Sequence, residues 1–155
     1  MTIHDQLDRL GVTLPAAPRP VGSYVPAKQA GDLVFVSGVL PFQDGKIFRP
    51  GKLGGALTVA DGVEAAKLAL LNALAIVQQA VGSLDRIKSI VRMTGHVASA
   101  EGFVEQPAVL NGASDLLVDI FGDSGRHARL ALGAAELPLH AAVELELIVQ
   151  INPEL

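Results

Sequence analysis

Two long helices against one face of a mostly antiparallel sheet, an α+β sandwich, is the fold class that three observations predict for this 155-residue chain. Two apolar stretches carry helix start and stop signals, 58–82 and 107–122. Runs at 33–38, 86–98, 126–133 and 141–150 are rich in strand formers. The last of these alternates cleanly, with Ala141, Val143, Leu145, Leu147 and Val149 on one side and Ala142, Glu144, Glu146, Ile148 and Gln150 on the other.

The elements follow in order. Ile3, Leu7 and Leu10 share one helical face and Gly11 ends it, which predicts a short lead-in helix over 3–11. Pro15, Pro18 and Pro20 then hold residues 12–22 extended as a connector, so the chain is one domain, 1–155, with a Pro-rich lead-in at 1–22. Leu33-Val-Phe-Val-Ser-Gly38 is nearly all apolar and reads as a strand covered on both faces. Gln43-Asp-Gly-Lys46 signals a hairpin turn, and the glycine-rich dozen residues after it read as a mobile loop. Thr58-Val-Ala-Asp61 is a capping-box pattern that opens the main helix, which runs to Gly82. Pro107 suits the first turn of a second helix ending at Phe121 before Gly122. Helices cover one face of the sheet; the other mixes Ile148 and Phe35 or Val36 with charges, which predicts burial against another copy of the chain in a closed homo-oligomer.

Composition narrows the function. Half the residues are apolar, 18% are charged and mean hydropathy is +0.41, so the chain folds into a core rather than remaining disordered. Twelve Lys and Arg against sixteen Asp and Glu leave a net charge of −4, which opposes binding to a phosphate backbone. Without cysteine there is no disulfide, no thiolate nucleophile and no Cys-based metal site. His4, His96, His127 and His140 show no metal-ligand spacing, and no phosphate-binding glycine motif is present, so neither metal nor nucleotide cofactor is expected. The acidic start lacks a signal-peptide pattern and no apolar run approaches the roughly 20 residues of a membrane span, so a cytoplasmic location without membrane contact is expected.

The remaining chemistry centres on Arg129 and Glu144 in the last two strands. A guanidinium within Ala128-Arg-Leu-Ala-Leu132 needs a partner, because desolvating it alone costs several kcal/mol. It is either a structural ion pair with Glu144 or Glu146, or a planar fork for a substrate carboxylate beside a Glu144 that handles a proton or a water. His127, on the same strand face as Arg129, reads as a structural histidine.

Two separated segments carry a family resemblance. Ala17-Pro-Arg-Pro-Val-Gly-Ser-Tyr-Val-Pro-Ala27 with Ala30-Gly-Asp-Leu-Val-Phe-Val-Ser-Gly-Val-Leu-Pro41 resembles the N-terminal signature of the RidA/YjgF family of reactive-intermediate deaminases. Arg129, Leu137-Pro138 and Val143-Glu144-Leu145-Glu146 resemble its C-terminal signature, with arginine and glutamate fifteen residues apart. The resemblance covers about 20–150 and implies a chorismate-mutase-like fold, a homotrimer whose sheets form a central barrel, and clefts between subunits. It implies that Arg129 grips the carboxylate of a 2-imino or 2-enamino acid, that Glu144 orients the hydrolytic water, and that a 2-keto acid and ammonia leave. It places Tyr24, Ser37, Gly38 and Asn111 on substrate-binding positions. Departures lie at Leu130 and Ala131, where the family carries small polar groups, and at Ser23 and Pro26 in the first signature. They leave a non-catalytic trimer that binds small carboxylates, as a sensor or chaperone-like module, as the alternative; endoribonuclease, a label attached to the family, is opposed by the net charge.

Overall fold

The computed structural model describes residues 1–154. Helix α1 spans Ile3–Leu10, capped by Thr2 and closed by Gly11 in the left-handed region at φ 66°. The connector behind it leads into an antiparallel pair, β1 (Ala27–Ala30) and β2 (Leu33–Val39), and then a small hairpin, β3 (Phe42–Gln43) with β4 (Lys46–Ile47). Asp44 and Gly45 both take positive φ, 52° and 77°, which is the geometry a two-residue hairpin turn requires. Helix α2 covers Val59–Val81 with the full Thr58/Asp61 capping box, β5 covers Ile87–Ala98, α3 Gln106–Phe121, β6 Ala128–Ala134 and β7 Val143–Ile151.

The main sheet has the order β1-β2-β7-β5-β6, antiparallel throughout except for the parallel β5–β6 pair. Pairing sets Arg129 beside Met93 and Met93 beside Leu147, and it sets Glu144 beside His96 and His96 beside Leu132. Val143, Leu145, Leu147, Val149 and Ile151 are buried under α2 and α3 with Val34, Val36, Met93 and Val97, so the alternation of β7 is realised from Val143 onward, while Ala142, read onto the opposite face, precedes the strand and joins the core. Transferring this apolar surface out of water is the main drive that docks both helices. The two helices approach closely where Gly112 of α3 meets α2, since a Cβ there would lie 2.6 Å from the Val63 carbonyl oxygen.

Two expectations are corrected. β1 was not anticipated, because Ala27-Lys-Gln-Ala30 is a polar edge strand with only Ala27 partly covered and no readable period. The segment after the hairpin is pinned rather than loose: Leu53 is fully buried, its N–H donates to the Ala98 carbonyl at 2.8 Å, and its own carbonyl accepts from Ala100 at 2.9 Å. Within one chain strand β2 is covered on one face, with Val34 and Val36 inside, while Phe35, 41% exposed, lies on the face expected to meet another copy. On that outer face Phe35 joins Leu130 and Leu132, 40% and 41% exposed. Among the described residues no helix is long and apolar enough to cross a membrane.

Candidate active site

Strand β2 bulges between Val36 and Val39, where it slips against β7. The bulge brings Ser37 and Gly38 to the wall of a cavity of about 470 Å³ that Tyr24, Pro26, Val39, Leu40, Phe42, Ile76, Arg19 and Glu144 also line. At Gly38 the Glu144 carboxylate lies where a Cβ would project, so a larger residue there would push the carboxylate aside. Ser37 donates its hydroxyl to the Val25 carbonyl at 2.7 Å and its N–H to Pro26 O, tying the lead-in to β2. The Tyr24 hydroxyl accepts from the Val21 N–H at 3.1 Å and its ring stays half exposed at the cavity mouth. Beneath, the buried Asn72 of α2 donates to the carbonyls of Leu40 and Phe42, both at 3.0 Å, and so fixes the floor. Half-burial raises the Glu144 pKa; neighbouring His96 lowers it and Glu146 raises it further.

Arg129 belongs to a second place. Its Nη1 donates to Asn111 Oδ1 at 2.8 Å and Ser114 Oγ at 3.1 Å, and Nη2 donates to the Pro107 carbonyl at 3.4 Å, all on α3. These three acceptors are neutral, and among the described residues no carboxylate pairs with the guanidinium. Of five N–H groups three are engaged, which leaves Nε–H and one Nη2–H for an incoming ligand. The ion pair with Glu144 or Glu146 is therefore absent. Register explains why: Arg129 shares the helix-side face with Met93 and Leu147, whereas Glu144 and His96 project from the opposite face. Two strand spacings and three residues separate the two Cα atoms, roughly 14 Å, with the sheet between the side chains.

The six residues singled out in the sequence thus form two groups. Tyr24, Ser37, Gly38 and Glu144 line one cavity; Asn111 and Arg129 meet each other elsewhere. Sequence reasoning passed over Arg19, Phe42 and Ile76 at the cavity, which only the fold assembles. It also passed over Ser114, although its position one helical turn after Asn111 on α3 was a signal that both reach the same target. Among the described residues, no group of three or more His, Asp and Glu side chains could hold a metal ion.

Comparison with known proteins gives a consistent picture. Residues 5–151 match the family described as "YjgF/chorismate mutase-like, putative endoribonuclease". Protein TCP17 of Trypanosoma cruzi is 45% identical over 147 residues, spanning 94% of this chain and 92% of that protein. The crystal structure of an Agrobacterium tumefaciens protein of unknown function superposes with a TM-score of 0.91 at 44% identity, over 97% of this chain and 92% of that one. The 2-iminobutanoate/2-iminopropanoate deaminase of Dermatophagoides farinae is 31% identical over 141 residues, 91% of this chain and 95% of the relative.

Proposed function

The chain belongs to the YjgF/chorismate-mutase-like family, and from that premise we propose that it hydrolyses reactive 2-imino and 2-enamino acids to 2-keto acids and ammonia, without a cofactor, in clefts between the subunits of a homotrimer. The observation that carries this reading is Arg129: a guanidinium held in place by three neutral oxygens, with a free donor edge and no carboxylate of its own. Such a side-on edge matches the two oxygens of a carboxylate. Glu144 stands on the other face of the same sheet, so the two groups meet only when Arg129 of one subunit faces Glu144 of another. The exposed apolar side chains of Phe35 on β2 and of Leu130 and Leu132 on β6 support the assembly, since burying them releases water from three large side chains. The named deaminase among the relatives supports the reaction.

In this mechanism the substrate carboxylate binds Nε–H and Nη2–H of Arg129, and the imine carbon lies toward Glu144 of the adjoining subunit. The Glu144 carboxylate takes a proton from water as its oxygen bonds to the C=N carbon. The carbinolamine formed from the protonated imine receives that proton on nitrogen, its hydroxyl proton passes to the Glu144 carboxylate as the C=O forms, and the C–N bond breaks so that ammonia leaves. A 2-enamino acid first takes a proton at its terminal carbon, which protonated Glu144 can supply; burial, by raising its pKa, lets one residue serve both steps. Positioning and one acid/base group suffice, because the imine is already electrophilic; the acid/base share is typically about 10² to 10⁴ in rate. The apolar part of the cavity, Leu40, Phe42 and Ile76, would receive the substrate's side chain.

A non-catalytic carboxylate-binding trimer is the second reading, favoured by Leu130 and Ala131, which offer no side-chain hydrogen bond beside Arg129. One assay separates them: 2-aminoacrylate is generated enzymatically and pyruvate release is followed with and without the protein. Acceleration by wild type that is lost in Glu144→Gln supports the deaminase; carboxylate binding by calorimetry with no acceleration supports the binder.

A further inference from the structure

Among the described residues, Ser114 is the one hydroxyl that touches both Arg129 and a histidine. Its Oγ lies 3.1 Å from Arg129 Nη1 and 2.9 Å from His127 Nε2, while His127 Nδ1 lies 2.7 Å from the Gly125 carbonyl oxygen. For a neutral imidazole the hydrogens in this chain follow by elimination. A carbonyl only accepts, so Nδ1 carries the proton and donates to it. Neutral His127 then has a bare Nε2, which accepts from the Ser114 hydroxyl. With its own hydrogen committed, Ser114 turns lone pairs toward Arg129, which only donates. The far end is rigid: Gly125 is buried, and a Cβ there would collide with the Leu117 carbonyl of α3, so the turn sits against the helix that carries Ser114 and Asn111.

We propose that His127 and Ser114 are positioning residues that hold the Arg129 guanidinium in a single orientation, with its Nε–H and Nη2–H edge presented to a substrate carboxylate. This rests on the reading of Arg129 as the carboxylate grip. Arg129 lies at the partly exposed edge of the sheet with no acidic partner, so without the relay it samples other rotamers and each bound carboxylate must select the right one. The relay acts on ground state and transition state alike, because the carboxylate does not change during hydrolysis. Its loss therefore raises KM and leaves kcat nearly unchanged.

The test uses His127→Phe, which keeps ring bulk without either nitrogen, Ser114→Ala, the double variant, and His127→Gln, whose amide oxygen can occupy the position of Nε2. The first readout is the nitrogen-15 spectrum of the arginine side chains: slow guanidinium rotation at Arg129 is expected in wild type and His127→Gln and fast rotation in the other three. The second is affinity for 2-oxobutanoate by calorimetry and, with 2-aminoacrylate, KM and kcat separately. Loss of one hydrogen bond in the relay should weaken Kd and raise KM about tenfold with kcat within about twofold, and the double variant should be no worse than either single. His127→Gln should recover most of the affinity. Unchanged rotation at Arg129 in Ser114→Ala, or additive losses in the double variant, would overturn the proposal, and Ser114→Ala decides the matter even where His127→Phe fails to fold. Wild type that orders Arg129 and binds 2-oxobutanoate but does not hydrolyse the imine would sink the deaminase reading alone.

Discussion

Replacing Arg129 with lysine keeps the charge and removes the fork, so a carboxylate that bound through two parallel N–H groups is left with one ammonium. Arg129→Lys is expected to raise KM for an imino acid by about 10- to 100-fold, corresponding to the loss of one charge-assisted hydrogen bond, as steady-state pyruvate release will measure. Glu144 carries a pH signature of definite sign. Its native pKa lies above the ordinary 4.5 because half-burial penalises the charged form. A carboxyl of this kind binds its proton more tightly folded than unfolded, so its contribution to stability is greatest below the unfolded pKa and declines as pH rises through the native one. Glu144→Gln, which cannot ionise, should therefore gain thermal stability relative to wild type at neutral pH, with the gap closing below about pH 4.5, as melting curves across pH will show. In the wild-type rate profile the acidic limb should fall at a pH above that of an ordinary glutamate.

At the scale of elements, the contact between α2 and α3 holds the Arg129 cradle in place, because α3 carries Asn111, Ser114 and Pro107. Gly112 allows that contact. Gly112→Ala gains up to about 1 kcal/mol of helix propensity, yet its Cβ would press on the backbone carbonyl of Val63, and overpacking of this kind costs about 1–3 kcal/mol. A backbone atom cannot rotate away, so a net loss of melting temperature is expected by calorimetry. The helices themselves were legible, since Thr58, Asp61 and Gly82 mark the ends of α2 by local hydrogen bonds that need no distant partner. β1 was not, because Lys28 and Gln29 gain strand geometry only from pairing with Phe35 and Val34. The 48–58 segment was misread for the same reason: its glycines suggest mobility, but Leu53 is held by Ala98 and Ala100, about 45 residues further along the chain.

For the whole molecule, the question is whether Arg129 and Glu144 of different subunits form one site. Arg129→Lys and Glu144→Gln proteins, each of low activity when assayed with substrate well below KM, can be dissociated, mixed in equal amounts and allowed to reassemble. In a closed ring each site draws one residue from either neighbour, so about a quarter of the sites should regain both wild-type groups and about a quarter of the activity should return. Recovery near zero would mean that both groups act within one chain, which the sheet between them makes geometrically hard.

Legible in the sequence alone are the side-chain alternation of β7, the capping box of α2, the extents of α2 and α3, the absence of cysteine chemistry, and the two signatures that mark the family. These are properties of neighbouring residues, set by periods of 2 and 3.6 and by local hydrogen bonds. Only the tertiary structure decided that Arg129 and Glu144 look out from opposite faces, that Glu144 rests on the bare backbone of Gly38, and that His127 reaches Arg129 through Ser114. Each of those depends on strand register and helix docking, and register is fixed by burial summed over the whole sheet, a quantity no short stretch of chain contains.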